Sequence, residues 1–427
     1  MLCSCACGNV FGIITSGAVF TGFAQQLGAN DFMFGVLMAV PFIGTFMQLP
    51  TSILVSKFGH RKKAVLIFGG ISRAVWVIIG LVPLFVPVSP ITLRIWIVIF
   101  FKVVSAMSSS VVAVSFTPWM AEFVPTSIQG RWLSLRNKIE SIISVSVGLV
   151  ISYLIDSIHG YVGYMLVIVL GGLIGLLDIC FYIGVVDVPV RAEADVNWVT
   201  TFKRVVTNGP FMYITMFWTA MNFSTQLAEP YLIRYALGPM QLSFLQTTLC
   251  FQIVTALVSL LFVGKWGLLI DRYGTKPTLV ITQIVTSLCM LLWLFARQGN
   301  LMIVLIYCAI SSSFKCASML LSVSMLINFS SREQRSSYIA VQACFTQLLG
   351  NFLGVLAGGA LLEWLRLFVM QIGFVLDYYQ VLFILSMCLQ LLAQVLFLPK
   401  VKNEKPYRVI DVFQDAGKRI QSRFQLH

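Results

Sequence analysis

The hydrophobic pattern of this chain consists of long apolar runs separated by short polar turns. A helix of about 20 residues crosses the roughly 30 Å hydrocarbon core of a bilayer. Twelve runs have about this length, so the pattern predicts twelve membrane spans. Their expected limits are 9–28, 32–55, 64–86, 94–119, 138–156, 162–186, 210–233, 241–264, 277–296, 301–327, 337–362 and 373–398.

The longest internal connection divides the predicted spans into two sets of six. It covers about residues 187–209 and is polar and charged. We therefore expect an N-terminal six-helix bundle at 1–186, this linker, a C-terminal six-helix bundle at 210–398 and a tail at 399–427. The tail places four apolar residues on one helical face, which are Val409, Phe413, Ile420 and Phe424. An amphipathic helix on the membrane surface fits this pattern, and a disordered basic tail fits it equally well.

Composition supports a membrane protein over a soluble one. The chain is 58% hydrophobic and 11% charged, with a mean hydropathy of +0.90, whereas soluble domains are about 45–50% apolar and about 25% charged. The net charge of +13 could indicate a nucleic-acid partner. The basic residues lie mainly in loops between spans, however, so we expect a lipid bilayer and no nucleic acid.

The distribution of Lys and Arg predicts the orientation. Of 29 such residues, 22 fall in the tail and in the loops on the side of the N-terminus, four fall on the other side, and three fall within spans. Cytoplasmic loops carry the excess of basic residues. We therefore expect a multi-pass protein of the cell membrane with both termini and the linker in the cytoplasm.

Motifs for catalysis are absent from the sequence. Neither H-E-x-x-H nor G-x-S-x-G occurs, and the pattern predicts no enzyme, no cofactor and no metal site. Cys3, Cys5 and Cys7 cluster at the N-terminus. Metal binding, lipid attachment and an ordinary terminus all remain open for this cluster.

Two related segments recur in the two halves. Polar, basic turns occur at 52–63 and 267–276, and Gly59 and Gly274 occupy equivalent positions 215 residues apart. An Ala-x-Ser-Ser-Ser segment occurs at 106–110 and again at 309–313. Because six spans are an even number, the halves run in the same direction. The pattern predicts parallel repeats about an axis along the membrane normal.

The second turn matches every position of the pattern G-x-L-x-D-R-x-G-x-[KR]. Its matching residues are Gly267, Leu269, Asp271, Arg272, Gly274 and Lys276. The first turn matches at Leu54, Gly59 and Arg61, with Lys57 for Arg and with Ser52 and Ser56 for Gly and Asp. With twelve spans, this pair of turns resembles the major facilitator superfamily. The resemblance implies an all-α membrane protein of twelve transmembrane helices in two pseudo-symmetric six-helix bundles, acting as a monomeric transporter.

The resemblance also implies that these turns form a conformational latch on the cytoplasmic face. The latch residues would be Gly59, Arg61, Gly267, Asp271, Arg272, Gly274 and Lys276. Because Ser56 replaces the acid of the first turn, that half of the latch should be weaker, or Glu122 with Arg131 and Arg136 should replace it. The alternative is that the basic residues only set the topology.

In this family, helices 1, 4, 7 and 10 line a central cavity. Polar residues at helical spacing in spans four, seven and ten fit that assignment, because a polar stripe facing lipid is costly. The predicted solute contacts are Lys102, Ser105, Ser109, Trp218, Asn222, Gln226, Ser311, Lys315 and Ser318. In span eleven, Gly350, Gly354 and Gly358 repeat every four residues, which predicts close helix packing.

Charged residues within the spans give the sharpest functional hypotheses. Lys102 and Lys315 would make the cavity electropositive and suit an organic anion, although structural pairing and snorkelling are alternatives. For Asp178 we expect an intramembrane charge pair with Arg73 inside the first bundle, and a role in coupling is the alternative. Glu229 fits a gate, a proton site or a rim contact.

The residues taken together predict a secondary transporter or facilitator for a small solute, preferably an organic anion, working by rocker-switch alternating access. A proton-linked exporter of lipophilic compounds and a transport-dead receptor on the same fold are the alternatives.

Overall fold

The computed structural model describes nine stretches of the chain. They are residues 2–58, 61–86, 91–123, 129–158, 160–185, 202–203, 205–329, 335–372 and 376–400. Within these stretches the regular structure is helical. The N-terminal half contains α1 (Leu2–Thr15), α2 (Gly17–Gln26), α3 (Asp31–Phe58), α4 (Arg61–Phe85), α5 (Ile91–Phe123), α6 (Gln129–Ser157) and α7 (Tyr161–Cys180).

The described part of the C-terminal half contains nine α-helices and four short segments of other helix types. The α-helices are α8 (Gly209–Gln226), α9 (Glu229–Leu237), α10 (Phe244–Thr248), α11 (Thr255–Tyr273), α12 (Thr275–Leu288), α13 (Leu301–Phe329), α14 (Arg335–Cys344), α15 (Leu353–Ile372) and α16 (Tyr378–Phe397). Two π-helical segments, Leu249–Val254 and Phe345–Phe352, join α10 to α11 and α14 to α15. The 3-10 segments Cys289–Phe295 and Leu398–Lys400 extend α12 and α16.

Ten helical segments of the described chain are long and apolar enough to cross a membrane. A shorter apolar helix, Asp31–Thr45, begins α3. The remaining predicted span is divided between α8 and α9, which meet at Leu227 and Ala228. Pro230 lies in the first turn of α9, where its missing N–H group is tolerated, and this explains why the helix restarts there.

Several helices extend beyond the predicted hydrophobic runs. The first helix begins at Leu2 and not at residue 9, so Cys3, Cys5 and Cys7 lie within it. The polar residues at span ends continue the helices instead of forming loops. Most of the predicted linker, the predicted tail helix and Gly59 lie outside the described residues, as do the side chains of Glu122 and Arg131.

The helices end on two opposite sides of the molecule. The basic side is the end that carries the turn at Gly274, together with the other predicted basic loops. The far side is the end that carries the turn at 27–30. Gly274 has a φ of +89°, and it both ends α11 and begins α12. A side chain would be strained at this φ, so glycine permits the direct helix-to-helix turn.

Packing within each half follows the helix order. In the N-terminal half, α4 packs against α5 and α7, and α1 packs against α7. In the C-terminal half, α13 packs against α11 and α12, and α8 packs against α16 and the second π-helical segment. The predicted glycine face is confirmed: a Cβ atom added to Gly354 would lie 2.6 Å from the backbone oxygen of Phe223.

Candidate functional site

The two halves are joined on the far side by a buried polar cluster. Arg234 Nε of α9 lies 2.9 Å from Asp31 Oδ1 at the start of α3. The guanidinium also donates to Ala29 O at 2.7 Å and to the Tyr379 hydroxyl at 3.1 Å, and that hydroxyl donates to Asp31 Oδ1 at 2.8 Å. The backbone oxygen of Arg234 accepts from Gln25 Nε2 at 3.1 Å. We call these residues the far-side cluster.

A second polar contact joins the halves on the far side. The carboxylate of Asp156, near the end of α6, accepts from the backbone N–H groups of Phe244 and Leu245 at 3.0 and 2.9 Å. These N–H groups begin α10 and have no partner within their own helix. An acidic side chain at a helix N-terminus is electrostatically favourable. The N-terminal half thus caps a helix of the C-terminal half.

A central cavity of about 1160 Å³ lies between the halves on the basic side. Its walls are formed by α1, α6, the π-helical segment Leu249–Val254, α11 and α13. Polar residues from the N-terminal half line one wall, namely Asn9, Asn137, Glu140, Ser141 and Ser144. The cavity meets a pocket of about 460 Å³ beneath the far side, because Asn9, Ser144 and Gln252 line both.

Lys315 of α13 contributes a positive charge to the central cavity. Its Nζ lies 2.5 Å from Glu229 Oε1, at the start of α9. The two side chains are 33% and 39% exposed. The lysine therefore has a carboxylate partner from its own half, and this pair is not fully buried.

Gln252 bridges the halves at the inner end of the central cavity. It lies on the π-helical segment, and its Nε2 donates to Ser144 O of α6 at 2.9 Å. A π-helical turn redirects side chains relative to an α-helix and often occurs at functional sites. The sequence pattern gives no signal for this irregularity.

Lys102 does not line the central cavity. Its side chain is 5% exposed, and Nζ lies 3.5 Å from the centroid of the Phe20 ring, a cation–π contact within the N-terminal half. Ser105 accepts from Trp76 Nε1 at 2.9 Å, and Ser109 bonds to Ser72 at 2.7 Å. The polar face predicted on span four thus joins α5 to α4.

The predicted contacts of α8 are placed against neighbouring helices. Trp218 is buried, and Asn222 Nδ2 donates to the backbone oxygen of Trp218 at 2.8 Å. The Cβ atoms of Asn222 and Gln226 lie beside Gly350 and Gly354. Helix α8 therefore directs these residues toward the second π-helical segment and α15.

The remaining predicted contacts lie on α13. Ser311 is buried, and Ser318 accepts from Gln283 Nε2 of α12 at 2.9 Å. Of the nine predicted solute contacts, Lys315 alone is among the residues that line the central cavity. Ser105, Ser109 and Ser318 bond to neighbouring helices instead, because a polar face avoids lipid equally well against a neighbouring helix.

Asp178 forms an ion pair with Arg73 inside the N-terminal bundle, one of the two roles that the sequence leaves open for it. Its carboxylate lies 3.3 Å from Arg73 and accepts from Ser4 Oγ at 2.6 Å. The pair lines a side cavity of about 290 Å³ within the N-terminal half, together with Arg136 and Glu140. Because Glu140 also lines the central cavity, the two spaces adjoin.

The predicted latch residues that the structure describes lie at helix ends on the basic side. Gly267, Asp271 and Arg272 belong to the last turns of α11, and not to a loop. A Cβ atom on Gly267 would meet nothing within 4 Å, so close approach does not require this glycine. Lys276 Nζ donates to Pro399 O at 3.3 Å, which joins the turn to the end of α16.

Arg61 begins α4 on the same side. Its neighbour Lys62 donates from Nζ to Ile183 O at 2.8 Å, just after α7. Lys62 and Lys276 therefore each bind a carbonyl group at a neighbouring helix end, where positive charge is favourable.

Sequence reasoning missed the residues that close the far side and those that form the polar wall. Arg234 and Asp31 each resemble an ordinary loop charge near a span end. The polar wall of α6 is visible in the sequence as Asn137, Glu140, Ser141 and Ser144 at helical spacing. This signal predicts a polar face on α6, a helix outside the set 1, 4, 7 and 10 that the family resemblance assigns to the cavity.

Comparison with known proteins gives the family. The sequence profile of the Major Facilitator Superfamily matches residues 2–266 and 241–418, nearly the whole chain. The chain belongs to the Major Facilitator Superfamily. It is thus a multi-pass membrane transporter with the twelve-helix, two-domain fold, and not an enzyme. No curated protein matches the sequence.

Solved structures share the fold at low identity. A bacterial homologue of the human lysosomal transporter Spinster, inward-facing and unoccupied, has 13% identity and a TM-score of 0.70 over 95% of this chain and 98% of that one. The nucleoside transporter NupG has 14% identity and a TM-score of 0.68, over 94% and 97%. The xylose transporter XylE from E. coli, inward open, has 15% identity and a TM-score of 0.66, over 96% and 97%. These similarities concern the fold alone.

Proposed function

We propose that this chain is a secondary transporter or facilitator that carries a small organic anion by a rocker-switch form of alternating access. The observation that carries the proposal is the ammonium of Lys315 in the wall of the central cavity. A charged residue within a span is costly unless it has a function or a partner. Lys315 has a partner that remains partly exposed and therefore exchangeable.

Glu229 would act as the gate of this site. At 2.5 Å from Lys315 Nζ it occupies the position that a solute carboxylate would take. An arriving anion would displace Glu229, and its departure would restore the pair. Lys315 would therefore have a negatively charged partner both with and without bound solute, which keeps the barrier to solute release low.

The far-side cluster and the cap at Asp156 support the rocker-switch step. Both join the halves on the far side, while on the basic side the central cavity separates α6 from α11 and α13. In the proposed cycle these contacts break as the basic side closes. The turns with Arg61 and with Asp271, Arg272 and Lys276 would then latch the basic side.

We further propose that the protein acts as a monomer in the cell membrane, with both termini in the cytoplasm. The described structure then corresponds to an inward-open state. The proposal is supported by the excess of Lys and Arg on the basic side, since cytoplasmic loops carry such an excess.

Counterflow in proteoliposomes tests the proposal. Vesicles would be loaded with one unlabelled compound, namely benzoate, succinate, octanesulfonate, glucose or choline. The same compound in labelled form would then be added to the external buffer. We expect exchange of at least one anion, lost in Lys315→Gln and kept in Lys265→Gln, a control lysine on α11. Exchange of glucose or choline alone would contradict an anion carrier, and tight anion binding without flux would identify a receptor.

A further inference from the structure

The two walls of the central cavity differ in polarity. The wall from α6 and α1 is polar, as described above. The wall from α11 and α13 is mainly apolar. Its polar hydroxyl residues are Ser259 and Ser324, and its apolar residues include Leu257, Leu260, Val263, Met319, Leu320 and Val323. Lys315 stands at the inner end of this apolar wall. The cavity thus has a positive group at one end and a long apolar surface leading away from it.

The apolar wall is uncovered by protein. Met319 is 73% exposed, Leu260 is 68% exposed and Leu257 is 55% exposed. In a membrane-spanning chain, exposed apolar side chains of this kind usually face lipid, but these three residues line the central cavity. The polar wall is a poor partner for it, because burying an unpaired polar group costs about 1–3 kcal/mol. Direct closure of the two walls would bury several such groups of α6.

The apolar surface continues toward the surrounding lipid. Helix α6 packs against α10 and the π-helical segment near the far side, whereas α11 packs chiefly against α13 and α12 of its own half. Along the basic side, α6 and α11 therefore flank the cavity as separate walls. Leu261 and Leu268 of α11 are also largely exposed, at 67% and 72%. The space between α6 and α11 is where a solute with an apolar chain would enter from the membrane in the proposal below.

We propose that the solute is an amphipathic monoanion. Its acidic head group binds Lys315, and its apolar chain lies along α11 and α13 toward the basic side. From Lys315 to Val323 a helix rises about 12 Å. This length matches roughly ten extended methylene groups, because C–C bonds of ~1.5 Å in a zigzag chain each advance it by only about 1.2–1.3 Å. This inference rests on the proposed anion transport and narrows its substrate class.

Protection of Cys316 from alkylation tests the inference at the site itself. Cys316 is adjacent to Lys315 and lines the cavity, so a bound solute should shield it. The full-length protein in nanodiscs would be treated with a maleimide in the presence of linear alkylsulfonates from butane- to decanesulfonate. Peptide mass spectrometry then reports the alkylated fraction of this one cysteine among the ten.

We expect the half-protecting concentration to fall by up to about fourfold for each added methylene, the value for a fully buried group. Lys315→Gln should raise that concentration at least tenfold for every chain length. Met319→Ser and Leu260→Ser should each weaken the chain-length dependence. The matched control is Leu392→Ser on α16, whose side chain is 52% exposed outside the cavity and which should change nothing.

Head-group and charge controls complete the experiment. Decyltrimethylammonium should not protect Cys316, while decanoate and decyl phosphate distinguish a carboxylate solute from a phosphate one. Each variant is checked by its thermal unfolding, so that loss of protection is not mistaken for loss of folding.

Three results would overturn the inference. Equal protection by butanesulfonate and decanesulfonate would reject the apolar chain and leave the anion proposal intact. If long-chain sulfonates protect Cys316 equally in the native protein, in Lys315→Gln and in the wall variants, the protection reflects only partitioning of the sulfonates into the membrane. Protection by no anion would reject both proposals.

Discussion

Arg234 and Asp31 form a buried ion pair between the two halves of the molecule, with 2.9 Å between Nε and Oδ1. Their side chains are 9% and 4% exposed, and Tyr379 bonds to both. The pair lies on the far side, opposite the opening of the central cavity. It therefore stabilises the described conformation and must break in any state open to the far side.

Asp31→Asn should open the far side. Removing one partner of a buried ion pair costs about 3–5 kcal/mol because the other charge remains buried. The penalty applies only to the conformation in which the far side is closed. The population therefore shifts toward a conformation in which the far side is open. Hydrogen exchange monitored by mass spectrometry should become faster at residues 27–34 and 229–238. Arg297→Gln, an exposed charge of the same side, is the control, and equal exchange in both variants would contradict the role of the pair.

Glu229→Gln should increase the affinity for the anionic solute. The ion pair with Lys315 is partly exposed, so we assign it about 0.5–1 kcal/mol, as for surface pairs. Freeing the ammonium should therefore tighten anion binding two- to fivefold. The half-saturating concentration in counterflow measures this effect, with the anion that the panel identifies. A weaker affinity in Glu229→Gln would mean that the carboxylate itself contacts the solute.

Gly354→Ala should destabilise the protein, although alanine favours helices by about 1 kcal/mol over glycine. The new Cβ would lie 2.6 Å from the backbone oxygen of Phe223, which cannot move without shifting α8. Gly264→Ala on α11 is the matched control, because a Cβ there meets nothing within 4 Å. Thermal unfolding in detergent should show a lower Tm for the first variant and an equal or higher Tm for the second. The reverse order would contradict the packing.

Arg73→Met should lower the Tm because it leaves Asp178 buried with Ser4 as its main partner. Replacing both charges, in Arg73→Met with Asp178→Leu, should recover part of the loss, since buried ion pairs add little over apolar packing. Arg136→Met is the control, because its pair with Glu140 is partly exposed and contributes about 0–1 kcal/mol. If the double variant unfolds earlier than Arg73→Met, the unpaired charge of Asp178 is not the cause of the loss, which would contradict this prediction.

The sequence predicts the helices of this fold well because long apolar runs in a bilayer can form little other than helices. The two repeated turns then identify the family. Helix ends are less predictable, because polar residues such as Asp271 continue a helix beyond the hydrocarbon region. The spans alone do not reveal where α11 stops.

The candidate site is less predictable for a different reason. A polar face avoids lipid either by lining a cavity or by bonding to a neighbouring helix, and the sequence does not distinguish the two. Ser105 and Ser318 bond to α4 and α12, whereas Lys315 lines the cavity. The pairing of Arg234 with Asp31 depends on the assembly of the two halves, and each residue alone looks like a loop charge.

The sidedness of Cys316 alkylation tests alternating access through the central cavity most directly. In vesicles of known orientation, a membrane-impermeant maleimide should alkylate this cysteine from the basic side in the native protein. In Asp31→Asn, alkylation from the far side should appear and that from the basic side should slow. Alkylation from neither side, or a basic-side rate that Asp31→Asn leaves unchanged, would contradict the account.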